Sequence, residues 1–443
     1  MRRVLLGAVL ATGIDISAAA AADAPAEACR FGAYRLSDGM ELTIEPRDLP
    51  SLRYRMRDGV GGALYPTDSD HYEGGDGWST REPVTVRATF AGCDLASLQR
   101  GDGPALAAQR VRLPKHPITF ASGGERIYGE LVMPERGRPK ALVVLHYGSG
   151  RESAVLDNFV QHMLPLDGIA VFVFDKRGTG RSTGDFTADF HVLARDMAAA
   201  IDAVRARPEA SGVRLGVMGE SQGGWVAPLA ASLRKVDFVV AAYSLAVSPI
   251  AEDRDEVAQT VAPYGPKALA QAQTLHEAAM RVAASHFEDG VEELERLKAL
   301  YRDEPWFKGV GGDFTSLLAS THAEKLAEVK ALFNYPISLD YEPEPVLAAL
   351  RTPMLWVLAG KDTEAPHEAT RAVLERLQAK GSPIDIAVFP NADHALIEVA
   401  DGPAGRRYLG RQSPGYFDLL ADWIATGSLG PRYGAATLIP RRY

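Results

Sequence analysis

Six short, predominantly apolar runs, at residues 141–145, 169–174, 213–218, 238–242, 354–358 and 384–389, restrict what this chain can fold into more than any other feature of it. They are too short for core helices and lack the apolar/polar alternation of a strand with one wet face. Strands buried on both faces read this way, and they require a parallel sheet covered by helices on each side. Stretches of helical periodicity lie between them, at 154–166, 190–205, 222–233 and 367–379. Alternation of this kind predicts an α/β domain built on a doubly wound, mostly parallel sheet.

Two regions depart from the alternation. Between 244 and 339 the sequence keeps helical periodicity and offers no convincing strand, so a helical cap inserted over the sheet is expected there. Residues 29–112 instead carry short alternating runs, such as LRYRM (52–56) and VTVRATF (84–90), broken by Asp38-Gly39 and Asp58-Gly59. Period-two alternation with Asp-Gly turns predicts a small antiparallel β domain. The stretch HYEGGDGW (71–78) reads as a surface loop, with a ligand-contacting loop as the alternative. The expected division is a leader over 1–22, the β-rich domain over 23–115 and the first part of the α/β core over 116–243. The helical insertion (244–339), the second part of the core (340–427) and a C-terminal tail (428–443) follow.

Charge and composition exclude other classes. With a net charge of −9 over 443 residues, the chain shows no basic footprint for nucleic acid. Its 46% hydrophobic and 24% charged residues are those of a globular chain rather than a disordered or coiled-coil one. Arg2 and Arg3, an apolar run over 4–14 and the alanines at 18–22 have the parts of a secretory signal peptide, with cleavage expected after Ala20 or Ala22. The run is too short to span a bilayer, so no membrane span is expected in the mature, exported protein. In an oxidising compartment Cys29 and Cys93 can pair, closing a loop worth about 4 kcal/mol in the chain-entropy model; two buried thiols are the alternative.

The pattern G-x-S-x-G occurs twice, around Ser182 and around Ser221. Context separates them. Ser221 follows the apolar run 213–218 and opens a helical stretch, the strand–turn–helix setting of a nucleophile elbow. Ser182 sits in the glycine-rich loop RGTGRSTGD, with no helix directly behind it, and reads as a loop residue. A serine hydroxyl needs a base, normally a histidine held by a carboxylate. His394 and Asp362 each follow an apolar run, at the sheet edge where catalytic groups of open α/β sheets collect. Their chain order, Ser, Asp, His, suits this architecture. Glu364 and Asp340 are rival acids, and His367 and His146 rival bases. The loop Tyr147-Gly148-Ser149-Gly150 follows the first run. Its N–H groups, Ser149 ahead of Tyr147, are expected to complete an oxyanion hole with that of Gln222.

These segments resemble the α/β-hydrolase superfamily: GESQGG (219–224), VVLHYGSG (143–150), FDKRGTGRS (174–182), LAGKD (358–362) and NADH (391–394). The likeness covers roughly residues 116–427 and is greatest to serine hydrolases of the dienelactone-hydrolase-like, acyl-thioester-hydrolase-like and prolyl-oligopeptidase-like branch. It implies Ser221 as nucleophile, Asp362 as acid and His394 as base. Tyr147 departs from the pattern, since many relatives have His-Gly directly. The expected function is an exported serine hydrolase acting on small-molecule carboxylic esters, with no metal or organic cofactor. A thioesterase or peptidase using the same triad is the runner-up, and a non-catalytic binding protein on the same scaffold is a third reading.

Overall fold

The structure, a computed structural model, describes residues 25–403 and 405–442, so the leader expected over 1–22 lies outside the described residues. The described residues form a closed eight-stranded barrel, a nine-stranded sheet and a three-stranded sheet, with helices between them.

The barrel strands are β1 (Gly32–Leu36), β2 (Glu41–Pro46), β3 (Leu52–Met56), β4 (Gly61–Pro66), β5 (His71–Gly75), β6 (Val84–Ala91), β7 (Asp94–Arg100) and β8 (Leu106–Arg110). Successive neighbours pair antiparallel and β1 pairs with β8, which removes both sheet edges. Alternate residues point inward, and Tyr34, Leu42, Ile44, Leu64, Phe90 and Leu98 fill the interior. The Asp-Gly signals fall in turns: Asp58 Oδ1 accepts from Val60 N–H at 3.0 Å, and Gly59 takes φ +92°. A disulfide joins Cys29, in the segment entering the barrel, to Cys93 in the β6–β7 turn.

One expectation fails here. The stretch 71–78 is not a surface loop, because β5 occupies most of it and Trp78 is buried beneath Arg53, 4.1 Å from its ring centroid. Its glycines serve close strand packing, since a Cβ on Gly74 would meet Ala63 O at 2.1 Å.

The nine-stranded sheet holds β9 (Lys115–Ser122), β10 (Glu125–Val132), β11 (Ala141–His146), β12 (Ile169–Phe174), β13 (Arg214–Glu220), β14 (Val239–Ala242), β15 (Met354–Ala359), β16 (Ile384–Phe389) and, at one edge, β20 (Thr437–Ile439). Strands β11 to β16 are the six apolar runs, each within two residues of its expected bounds, and they pair parallel. The β9–β10 hairpin departs from expectation, because β9 is half-exposed and alternates while the run of β10 is broken by Gly129 and Glu130. So does the edge strand β20: the segment expected as a tail carries Thr437–Ile439, antiparallel to β16. A separate sheet of β17 (Ala392–Asp393), β18 (Ile397–Gly402) and β19 (Gly405–Gln412) follows β16.

Helices cover both faces. On one, α3 (Phe190–Arg205), α4 (Gly223–Leu233), α10 (Glu344–Ala349) and α11 (His367–Ala379) bury Phe190, Met197, Val226 and Leu374 against the sheet. On the other lie α1 (Ala154–Asp157), α2 (Val160–Met163) and α12 (Tyr416–Thr426). The stretch 154–166, expected as one helix, breaks at Asn158. That residue is extended (ψ 115°), and its side chain caps the second piece by accepting from Val160 N–H at 2.8 Å. Between β14 and β15 run α5 (Pro249–Val261), α6 (Pro266–Ala284), α7 (Val291–Tyr301), α8 (Asp313–Ser320) and α9 (Leu326–Leu332), around an apolar cluster of their own that includes Leu275, Leu294 and Trp306. Among the described residues no helix is long and apolar enough to cross a membrane.

Candidate active site

Strand β13 ends at Glu220 and α4 begins at Gly223, so Ser221 must turn the chain within two residues. It does so at φ +51°, a left-handed conformation that costs a non-glycine residue about 1–3 kcal/mol and exposes its hydroxyl. Small neighbours permit the turn: a Cβ on Gly219 would lie 1.9 Å from Gly223 O, and one on Gly224 would lie 2.0 Å from Ser244 Oγ. Ser244 Oγ in turn donates to Ser221 O at 2.6 Å.

The loops after β15 and β16 meet this turn. His394 Nε2 lies 3.1 Å from Ser221 Oγ, and His394 Nδ1 lies 3.1 and 3.0 Å from the Asp362 carboxylate oxygens. Asp362 is buried, and its Oδ1 also accepts from the N–H groups of Glu364 (3.0 Å) and Ala365 (2.8 Å). The carboxylate therefore keeps Nδ1 protonated and leaves Nε2 free to face the serine. Burial by itself lowers the proton affinity of the imidazole. The charge and hydrogen bond of Asp362, helped by Glu364 and Asp393, outweigh it and raise the pKa from 6.5 to about 10.

The rival residues are placed otherwise. Glu364 Oε2 is 3.8 Å from His394 Nε2 on a half-exposed side chain, and Asp340 lies exposed in a turn. His367 opens α11 beside Glu368. His146 ends β11 with Nδ1 2.8 Å from Tyr147 O, and burial, with the Lys176 charge, pushes its pKa down to about 3. Ser182 Oγ donates to Asp175 O (2.7 Å) and accepts from Tyr128 N–H (3.0 Å), which ties its loop to β10.

The 147–150 loop passes beside Ser221, for a Cβ on Gly148 would be 3.5 Å from Ser221 Cβ. Lys176 fixes it. Its side chain is 2% exposed, and its Nζ donates to Gly148 O at 2.6 Å with the rings of Tyr147 and Phe186 alongside. In a trans peptide the C=O and the following N–H point opposite ways, so the Ser149 N–H points away from Lys176. Among the described residues none accepts from the Gln222 or Ser149 N–H.

Sequence reasoning missed three groups around the site. Lys176 lies inside the motif FDKRGTGRS, where a lysine following an apolar run is the only signal. Tyr243 packs edge to face on His394 at 5.1 Å and donates to the buried Glu220 at 2.6 Å. Asp393 precedes His394 and binds partners from β19 that no local pattern announces. From the helices over the sheet, Gln259 Nε2 donates to Asp362 O at 3.2 Å. Glu252 on α5 feels the charges of His394 and Asp362, although burial first, and Asp313 next, push its carboxyl well above the usual range.

A parallel sheet with a positive-φ serine at a strand–helix turn, faced by a histidine and a buried aspartate on neighbouring loops, defines the chain as an α/β-hydrolase. A family model described as "Serine aminopeptidase, S33" (Hydrolase_4) matches residues 137–399, more than half of the sequence, and the chain belongs to that family. Similar solved structures include the Pyrococcus furiosus esterase Pf2001, 15% identical over 64% of this chain and 85% of that one, with a TM-score of 0.41. A Pyrococcus horikoshii acylaminoacyl peptidase is 13% identical over 80% of this chain and 51% of that one, at 0.40. A dienelactone hydrolase from Anabaena variabilis is 14% identical over 71% and 95%, at 0.38. Comparison with curated proteins finds no match.

Proposed function

We propose that the protein is an exported serine hydrolase that cleaves carboxylic esters through an acyl-enzyme. The observation that carries this reading is the continuous set of contacts from Asp362 through His394 to Ser221, at 3.0 and 3.1 Å. Ser221 Oγ attacks the carbonyl carbon as His394 Nε2 takes its proton. The tetrahedral intermediate collapses as that proton passes to the leaving alcohol. Water, deprotonated by the same nitrogen, then releases the acid and restores the serine. Asp362 holds the imidazole in its tautomer and stabilises the imidazolium. The N–H groups of Gln222 and Ser149 receive the negative charge on the carbonyl oxygen. The free Gln222 N–H at the head of α4 and the opposed orientation of the Gly148 carbonyl support that pair. Helices α5–α9 act as a cap controlling access, a role supported by the reach of Gln259 to the Asp362 loop. The Cys29–Cys93 disulfide is compatible with an oxidising, exported location.

A peptidase using the same groups is the second reading, favoured by the description of the family as aminopeptidases. Fold and triad leave the leaving group open. Initial rates on a p-nitrophenyl ester, an aminoacyl p-nitroanilide and an acyl thioester, at equal enzyme, separate the readings. The ester is expected to turn over fastest by kcat/KM, and a faster anilide would replace the esterase reading with the peptidase.

A further inference from the structure

The loop that carries His394 has little regular structure to hold it. Strand β17 is two residues long, and both Ala395 (φ +57°) and Leu396 (φ +59°) are left-handed. What fixes the loop is a second set of contacts centred on Asp393, which is 2% exposed. Its carboxylate accepts from the His394 N–H (2.9 Å), the Thr363 N–H (2.9 Å), the Tyr408 hydroxyl (2.6 Å) and Arg406 Nη1 (3.0 Å). Beyond His394, Gln412 Nε2 donates to Ala395 O at 3.1 Å. Apart from Thr363 and His394 itself, these donors all sit on β19.

Among the described residues β19 pairs within its sheet with β18 alone, and it also touches the barrel. Gln412 N–H donates to Gly59 O at 2.8 Å, and Arg411 bridges Val60 in antiparallel register. At Gly410 the two backbones touch: a Cβ there would lie 2.8 Å from Gly77 Cα and 3.0 Å from Gly77 N and C. A contiguous path therefore runs from the β3–β4 turn and the β5–β6 connection of the barrel through β19 and Asp393 to the backbone of His394.

We infer that the N-terminal barrel is a positioning module for the base: it holds β19, whose Tyr408 and Arg406 fix Asp393 and thereby aim His394 at Ser221. Asp393, Arg406 and Tyr408 are positioning residues, and the inference rests on the reading of His394 as the base. A separate barrel on a tether would need no such contacts at the loop it touches. Supporting groups of this kind matter because a misplacement of about 1 Å far from the chemistry can cost on the order of 100-fold in rate.

The test uses the full chain and two readouts. One is kcat and KM on p-nitrophenyl acetate. The other is the labelling rate by a fluorophosphonate, in which Ser221 Oγ bonds to phosphorus, fluoride leaves and His394 takes the hydroxyl proton. Gly410→Ala forces the barrel and β19 apart against backbone. Gly92→Ala is its control, with a similar φ (+62° against +66°) in a barrel turn where a Cβ meets nothing within 4 Å. Tyr408→Phe removes one donor to Asp393 without changing shape. Gly410→Ala is expected to lower kcat and the labelling rate together by about 10- to 100-fold with KM within about threefold. Tyr408→Phe is expected to lower both by about three- to tenfold, as for loss of one ordinary hydrogen bond. Gly92→Ala should behave as wild type. Wild-type kcat and labelling in a folded Gly410→Ala would overturn the inference, and so would unchanged rates in Tyr408→Phe should Gly410→Ala fail to fold. His394→Ala separates the two levels: retained labelling there sinks the assignment of the base. Its loss, beside unaffected Gly410→Ala and Tyr408→Phe, sinks only the role of the barrel.

Discussion

Lys176→Met should separate stability from activity in opposite directions. The lysine is 2% exposed, and burial, against the pull of Glu152, lowers its pKa from 10.5 to about 7. That difference corresponds to at most about 5 kcal/mol of cost for holding the ammonium in the fold. Methionine has a similar length, packs against Tyr147 and Phe186, and removes the cost. It also strips Gly148 O of its donor, a loss of about 1–3 kcal/mol if the carbonyl stays dry. The variant is therefore expected to be as stable as wild type or up to about 4 kcal/mol more stable in urea unfolding at pH 6. The pH dependence has a definite sign. Between about pH 7 and 10.5 the unfolded chain holds this proton and the folded one does not, so wild type gains stability as pH rises, and the variant lacks that part of the gain. Activity should move the other way. Without Lys176 the Gly148–Ser149 peptide is free to rotate and the Ser149 N–H loses its aim. A lost oxyanion donor costs about 10²–10³ in kcat, and partial misalignment about 10- to 100-fold. Full kcat in the variant would refute the loop-setting role, and parallel loss of stability and activity would make Lys176 simply part of the core.

Three shorter predictions accompany it. Ser182→Ala removes two hydrogen bonds that anchor a loop, so it should lower stability by about 1–2 kcal/mol and retain most kcat, as checked by urea titration and ester hydrolysis. Because Asp362 raises the pKa of His394 and only the unprotonated imidazole can act as base, kcat/KM should climb through a midpoint above 6.5; a flat profile from pH 5 to 9 would contradict it. Reduction of Cys29–Cys93, 64 residues apart, should lower unfolding stability by up to about 4 kcal/mol, and the unreduced denatured protein should present no reactive thiol from either residue.

How much was legible in the sequence follows from how local each signal is. Strands β11–β16 announce themselves because burial on both faces needs an unbroken apolar run. Ser221, Asp362 and His394 each follow such a run closely enough for the strand to set their place, and the structure brings the three within hydrogen-bond reach. Strands β9, β10, β19 and β20 gave no comparable signal. Strands β9, β19 and β20 each have an exposed face or edge, the run of β10 is broken by Gly129 and Glu130, and the partner of each is defined by tertiary pairing. The same reason hid Lys176 and the Asp393–Arg406–Tyr408 group, whose chemistry depends on neighbours distant in sequence. The stretch 71–78 misled for a physical reason as well, since glycines that commonly mark a loop here let two strands approach. The break at Asn158 is a capping event inside an otherwise helical pattern.

The central claim is that Ser221 is the nucleophile of an ester hydrolase, and the most direct test is the hydrolysis of p-nitrophenyl esters from acetate to palmitate by wild type and Ser221→Ala in parallel. The account predicts turnover by wild type and a loss of about 10⁴–10⁶ in kcat in the variant, with its fold unchanged. Turnover that survives in Ser221→Ala would contradict it.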